Sequence, residues 1–281
     1  MYFLAALYCQ RESIVDGKTA LPKKIITALL FTMVPQQLML FLTRDLDNPW
    51  SFTFISFAAF CLCFLVIKIT GRPENLSAKA TGFSLAFAKG WYILTAGLIF
   101  AVLNFLSIDF THSPSFQKTA AFFIETIFVA LFEEMLFRWI IQNYITEDYE
   151  KRQKNILGGL CLAAGIFASV HFLNLAGRPY FILGTFTQVV YTFCLGLLIG
   201  TVYWASKNIR VCFLLHYLFN VLGNYGSLFG DITPSPAGAE DINILSSAIQ
   251  LVIMLPSIPI AYGIYKRTGK KNLQNYNNPD F

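Results

Sequence analysis

The sequence predicts an all-α integral membrane protein, a single bundle of about eight transmembrane helices with both termini in the cytoplasm. Three observations carry that expectation. The first is composition: the 281 residues are 56% hydrophobic and 16% aromatic but only 13% charged, with a mean hydropathy of +0.55. A soluble domain carries about 25% charged residues, so a soluble globular protein is excluded. Disorder is excluded too, because disordered chains lack the apolar and aromatic residues in excess here. The second observation is the recurrence of eight apolar stretches long enough for a membrane crossing, which takes about 20 residues of helix. The third is the placement of the 21 Lys and Arg. Basic residues concentrate in cytoplasmic loops. When alternate loops are compared, the side opposite the N-terminus holds only Arg44, Lys118 and Arg178, Arg138 lies within a span, and all the others fall on the N-terminal side.

In chain order, residues 1–24 read as an N-terminal cytoplasmic segment. Its apolar start, Tyr2 to Cys9, is too short for a span and lacks the basic flank and cleavage site of a secretory leader, so no cleavage is expected. The membrane-embedded helical bundle occupies residues 25–265. Its first span, Ile25 to Leu42, contains Pro35-Gln36-Gln37, most simply a kink. Trp50 to Ile69 and Trp91 to Ile108 follow as apolar spans, and Thr119 to Tyr144 and Ile156 to Leu175 as spans with ionisable residues. The sixth, Ile182 to Ala205, holds Phe193 followed by Gly196 and Gly200, small residues at four-residue spacing that suit close helix packing. Val211 to Phe229 is the seventh, and Ile242 to Tyr265 the eighth, with kinks expected at Pro256 and Pro259. Residues 266–281 form a polar cytoplasmic tail expected to be mobile. The six cysteines lie almost entirely inside apolar runs without CxxC spacing, which predicts buried thiols and not disulfides or metal ligands. The net charge of +5 is spread between apolar runs and forms no basic patch, so no nucleic-acid partner is expected.

Ionisable residues at the bilayer centre cost about 2.5–3.5 kcal/mol each on insertion scales and mark functional sites by default. Few are present. The fourth span carries Glu125, Glu133, Glu134 and Arg138, the fifth His171 and the seventh His216, so two of the chain's three histidines are intramembrane. At about 100° per residue Glu134 and Arg138 stand about 40° apart, close enough for a salt bridge, whereas Glu133 stands about 140° from Arg138. That spacing gives two adjacent carboxylates two roles: Glu134 is tied to the guanidinium, and Glu133 turns toward a cavity where it can act as general base or acid. His216 and Asn220 share a face, again four apart. A carboxylate, two imidazoles and an amide from three helices make a candidate site for activating water. Taken singly, the ion pair also fits a purely structural role, His171 a helix-to-helix hydrogen bond, and Glu125 packing or hydrogen bonding.

Other membrane chemistries lack their motifs. There is no HExxH, the nearest string to GxSG is Gly82-Phe83-Ser84-Leu85, and Leu228-Phe229-Gly230-Asp231 has Leu where an aspartyl GxGD needs Gly. There is no P-loop.

Glu133-Glu134-x-x-x-Arg138, Phe167-x-x-x-His171 and His216-x-x-x-Asn220, in that order, give the chain its resemblance to a family of intramembrane proteases. That family comprises the CAAX prenyl endopeptidases and the bacteriocin-processing or self-immunity proteins, whose pattern is EExxxR, FxxxH, HxxxN. The resemblance covers residues 133 to 220. It implies an eight-helix bundle with a cytoplasm-facing cavity, a membrane-associated protein or peptide as substrate, and the lipid bilayer, most simply the plasma membrane, as surroundings. Within it Glu133 and His171 would activate a water, His216 and Asn220 would stabilise the oxyanion, and Glu134 with Arg138 would orient the site. The family has also been described as metal-dependent, with Glu133, His171 and His216 as the corresponding ligands, a set that suffices for catalytic zinc; the metal-free scheme, needing no cofactor, is the favoured one. A non-catalytic scaffold, immunity protein or transporter retaining the polar site is the alternative. One expectation strains the scheme: at 1.5 Å per residue from the cytoplasmic ends, His171 lies roughly 22 Å deep and His216 roughly 9 Å. Two residues of one site must be level, which requires the fifth helix to begin below the membrane surface, with Ile156 to Leu160 protruding, or the span limits to move.

Overall fold

The computed structural model describes residues 20–43, 48–71, 80–108, 111, 113–177, 179–229 and 244–277. Among them the chain is helical with no strand. In order the α-helices are α1 Leu21–Thr43, α2 Ser51–Thr70, α3 Phe83–Lys89, α4 Trp91–Ser107, α5 Phe116–Glu133, α6 Asn143–Lys151, α7 Ile156–Ser169, α8 Asn174–Gly177, α9 Ile182–Ser206, α10 Ile209–Asn224, α11 Ile244–Met254 and α12 Ser257–Asn277. A π-helical segment, Glu134–Gln142, joins α5 to α6, and 3-10 turns at Val170–Leu173 and Tyr225–Leu228 follow α7 and α10.

Five helical stretches are long and apolar enough to cross a membrane: Leu21–Leu42, Ser51–Thr70, Ile156–Ala176, Ile182–Ser206 and Ile244–Gly269. The pair α3 and α4, bent by 59°, makes a sixth if it is one span. The protein is therefore a multi-pass membrane protein, and large side chains such as Phe41, Leu42, Phe54, Leu85 and Leu106 point outward, as lipid contact requires. The other two stretches read as spans are helical but less apolar or shorter. Lys118, Glu125 and Glu133 fall within α5, and α10 has 16 residues.

Two further expectations change. The tail from Lys266 is helical as far as Asn277, a continuation of α12 that needs no new nucleus. Of the five described cysteines, all free thiols, Cys61 is exposed and Cys161 half-buried, while Cys63, Cys194 and Cys212 are buried. Residues 61 and 63, two apart, cannot share one face of a helix. Cys9 and residues 1–19 lie outside the described residues.

Where the sequence predicts one bundle, the helices pack as two compact units, Met1–Ala78 with Asp109–Asn155 and Lys79–Ile108 with Ile156–Phe281. In the first unit α2 packs on both α1 and α5. Between apolar helices in lipid, association depends on close van der Waals packing, which small residues permit. The buried stripe of α2, Thr53, Ser56, Ala59, Cys63, Ile67 and Thr70, repeats every three or four residues and supplies them. Thr53 Oγ1 reaches the Ala121 carbonyl at 3.5 Å, and the Phe57 and Phe128 rings meet edge to face at 5.0 Å. At the end of α2, Gly71 takes φ +78°, a conformation glycine adopts without steric cost. There the Tyr144 hydroxyl lies 2.7 Å from Thr70 Oγ1 and 2.9 Å from the Gly71 carbonyl, and Lys24 Nζ stands 5.1 Å above the Tyr144 ring. This cluster fixes the chain just beyond the π segment.

In the second unit α9 is central, buried almost continuously from Cys194 to Tyr203 and packed by α7, α11 and α12. On the far side α10 packs on α4. A Cβ at Gly90 would overlap Leu215, and one at Gly97 would meet Leu222 at 3.1 Å, so two glycines on one face let the helices close. Asn104 Nδ2 donates to the Gly223 carbonyl at 2.6 Å and the Tyr225 hydroxyl to the Ala101 carbonyl at 2.7 Å, locking the register of α10. That register sets where His216 and Asn220 stand.

Candidate active site

The first unit contributes the acidic cluster. Ser115 caps α5, its Oγ accepting the Lys118 N–H at 3.2 Å. The helix then runs without a polar interruption to Glu133, apart from Thr119, Glu125 and Thr126. From Glu134 the backbone is π-helical, which the sequence reading did not anticipate. A π ladder closes i→i+5, and such segments are rare and frequent at functional sites. It also turns fewer degrees per residue than an α-helix, so the 140° expected between Glu133 and Arg138 is an overestimate. The Glu134–Arg138 pair survives the change because four residues still make close to one turn. Arg138 Nε lies 3.4 Å from Glu134 Oε2, with both side chains at most 2% exposed. Phe132, Leu136, Phe137, Ile140 and Ile141, all buried, exclude water from this stretch. Glu133 is only half-buried, so the two carboxylates differ in access to solvent.

Beyond the ion pair the buried polar residues continue. Gln142 and Thr146, each at most 2% exposed, extend Glu134 and Arg138 in steps of four, and Asn143 Nδ2 donates to the Trp139 carbonyl at 2.9 Å. Sequence reasoning passed over these, although polar residues at 134, 138, 142 and 146 were a regular signal. Glu125 is half-buried on α5, two turns before Glu133.

The second unit contributes the histidines. α7 ends at Ser169, and His171 stands in the 3-10 turn that follows. Its Nδ1 is 3.2 Å from the Phe167 carbonyl. A carbonyl only accepts, so Nδ1 carries the proton and the Nε2 lone pair is the ring's basic site. Asn208 caps α10, its Oδ1 accepting the Val211 N–H at 3.4 Å. Two turns on stands His216, 2% exposed. The Phe167 ring meets both imidazoles edge to face, at 5.3 Å from His171 and 6.1 Å from His216. The two rings therefore lie against one phenyl. Asn220, one turn after His216, is half-buried, and its carbonyl accepts Asn224 Nδ2 at 2.8 Å.

The six residues singled out thus fall in two groups. Glu133, Glu134 and Arg138 belong to the first unit, and His171, His216 and Asn220 to the second. Residues 114–222, which run from just before α5 to near the end of α10 and contain all six, match the family described as type II CAAX prenyl endopeptidase Rce1-like. The resemblance carried by the three motifs is to this family. No curated protein matches the chain.

Proposed function

We propose that the protein is an intramembrane endopeptidase of the CAAX-protease type that hydrolyses a peptide bond of a membrane-associated protein or peptide. The observation that carries this reading is the pair of imidazoles on Phe167, lying within the region matched to the family. In the proposed mechanism Glu133 takes a proton from a water as its oxygen attacks the scissile carbonyl, and later returns that proton to the leaving amine. His171, its Nδ1 held by the Phe167 carbonyl, orients the same water through Nε2. His216 and Asn220 donate to the developing oxyanion. The Glu134–Arg138 pair holds the segment that presents Glu133. This membrane topology has eight spans with both termini in the cytoplasm, and the plasma membrane is the proposed location. Glu133, His171 and His216 are of the residue types that bind catalytic zinc, but among the described residues no group of three His, Cys, Asp or Glu side chains is placed to hold a metal ion. The metal-free scheme is preferred because Asn220, a poor ligand, is a good oxyanion donor.

Glu133→Gln keeps the size of the side chain and removes the base. The variant is expected to accumulate in membranes at the wild-type level and to lose cleavage by at least about 10²–10⁴-fold. Undiminished function with Gln at 133 would instead identify a scaffold or transporter.

A further inference from the structure

The contact between α7 and α9 centres on one side chain. A Cβ on Gly196 would come within 2.8 Å of Phe167 Cδ1 and 3.6 Å of Ala164 Cα, so α9 presses on the phenyl ring with only hydrogen between them. On its other sides the ring meets His171 and His216, with interplanar angles of 89° and 88°. Phe167 is 1% exposed and has nowhere to move. Its backbone carbonyl, meanwhile, receives His171 Nδ1.

We infer that Phe167, seated by Gly196, is a positioning residue that sets the spacing and level of the two imidazoles and the tautomer of His171. The inference deepens the proposed function and rests on it. One residue does three things here: the ring edge and face fix where each imidazole stands, the carbonyl fixes which nitrogen is basic, and α9 fixes the ring. Phe167 itself is 1% exposed, so its loss acts on the reaction through the imidazoles it touches. Displacements of about 1 Å in a reacting constellation lower rates by up to about 10²-fold.

The test has two arms. In the first, Phe167→Leu, Gly196→Ala and the double variant are purified in detergent and their cleavage rates are corrected for folded fraction. Phe167→Leu is expected to lower kcat by about 10–10²-fold with KM within about twofold. Gly196→Ala, which pushes the ring with a single methyl, is expected to act in the same direction. The double variant should be no worse than Phe167→Leu alone, because the methyl then has no ring to displace. The second arm does not depend on activity: NMR of the imidazoles, with the wild-type spectrum as reference. The phenyl ring current acts on both neighbours, so Phe167→Leu is expected to shift His171 and His216 together, with the Nδ1–H tautomer of His171 retained in the wild type. Unchanged kcat per folded molecule in Phe167→Leu would overturn the inference, leaving Phe167 a mere packing residue. So would a shift of only one histidine or of neither. A wild-type protein that cleaves no peptide, with both histidines shifting as expected, would overturn the proposed function while upholding the geometry.

Discussion

Replacing Arg138 with Ala isolates the energetics of the buried ion pair. The side chains of Arg138 and Glu134 are 2% and 1% exposed, so the pair is shielded from water. Breaking a buried pair by removing one member typically costs about 3–5 kcal/mol. Arg138→Ala is therefore expected to lose about 3–5 kcal/mol plus the packing of its aliphatic stem. The assay is the temperature at which half the detergent-purified protein loses its monodisperse state, together with steady-state abundance in membranes. Both should fall well below wild type. The decisive comparison is the double variant Glu134→Gln with Arg138→Ala, which has no charge left to strand and should recover more than half of the loss. An Arg138→Ala protein as stable and abundant as wild type would refute this reasoning. So would a double variant worse than the single one, since the penalty would then not be that of an uncompensated charge.

The metal question is decided by activity after exhaustive chelation, which is expected to leave cleavage intact, with Asn220→Ala lowering turnover by about 10²–10³-fold; zinc lost together with activity in His171→Ala and His216→Ala would reverse that assignment. Gly90→Ala would drive a methyl into Leu215, itself fully buried, and is expected to destabilise by about 1–3 kcal/mol in thermal melts. Gly165→Ala in α7, which meets nothing within 4 Å, is the control and should be neutral or stabilising by up to about 1 kcal/mol.

Membrane helices advertise themselves because the bilayer demands about 20 apolar residues of each, and among the described residues five of the predicted spans, or six with the bent α3–α4 pair, are helices long and apolar enough to cross. The ion pair was legible for a similar reason: four residues make about one turn in either helical ladder. Everything that depended on departures from the α-helix was hidden. The π segment at 134–142 has no signature in hydropathy, and the end of α7 at Ser169 lies within an apolar run that continues to Leu173. Partner choice was equally opaque. Nothing in the order of the spans says that α2 takes α5 while α4 takes α10. Those choices are written in single residues, such as Gly90, Gly97 and Asn104, whose meaning depends on what faces them. Phe167 was legible as a motif letter but not as the surface on which two histidines meet.

The interleaving of the two units has a consequence for the growing chain. Asn104 and its acceptor at Gly223 are separated by 119 residues, and the ribosome adds about 5–20 residues per second. α4 therefore waits about 6–24 s, with an amide side chain among lipid tails, before α10 exists to receive it. During that interval α5, the π segment and α6 emerge and find α1 and α2 already made. A nascent chain halted at Asn155 holds every helix of the first unit but only α3 and α4 of the second. The acidic half of the proposed site is thus assembled while the histidines are still untranslated, and synthesis itself orders when the chemistry can begin.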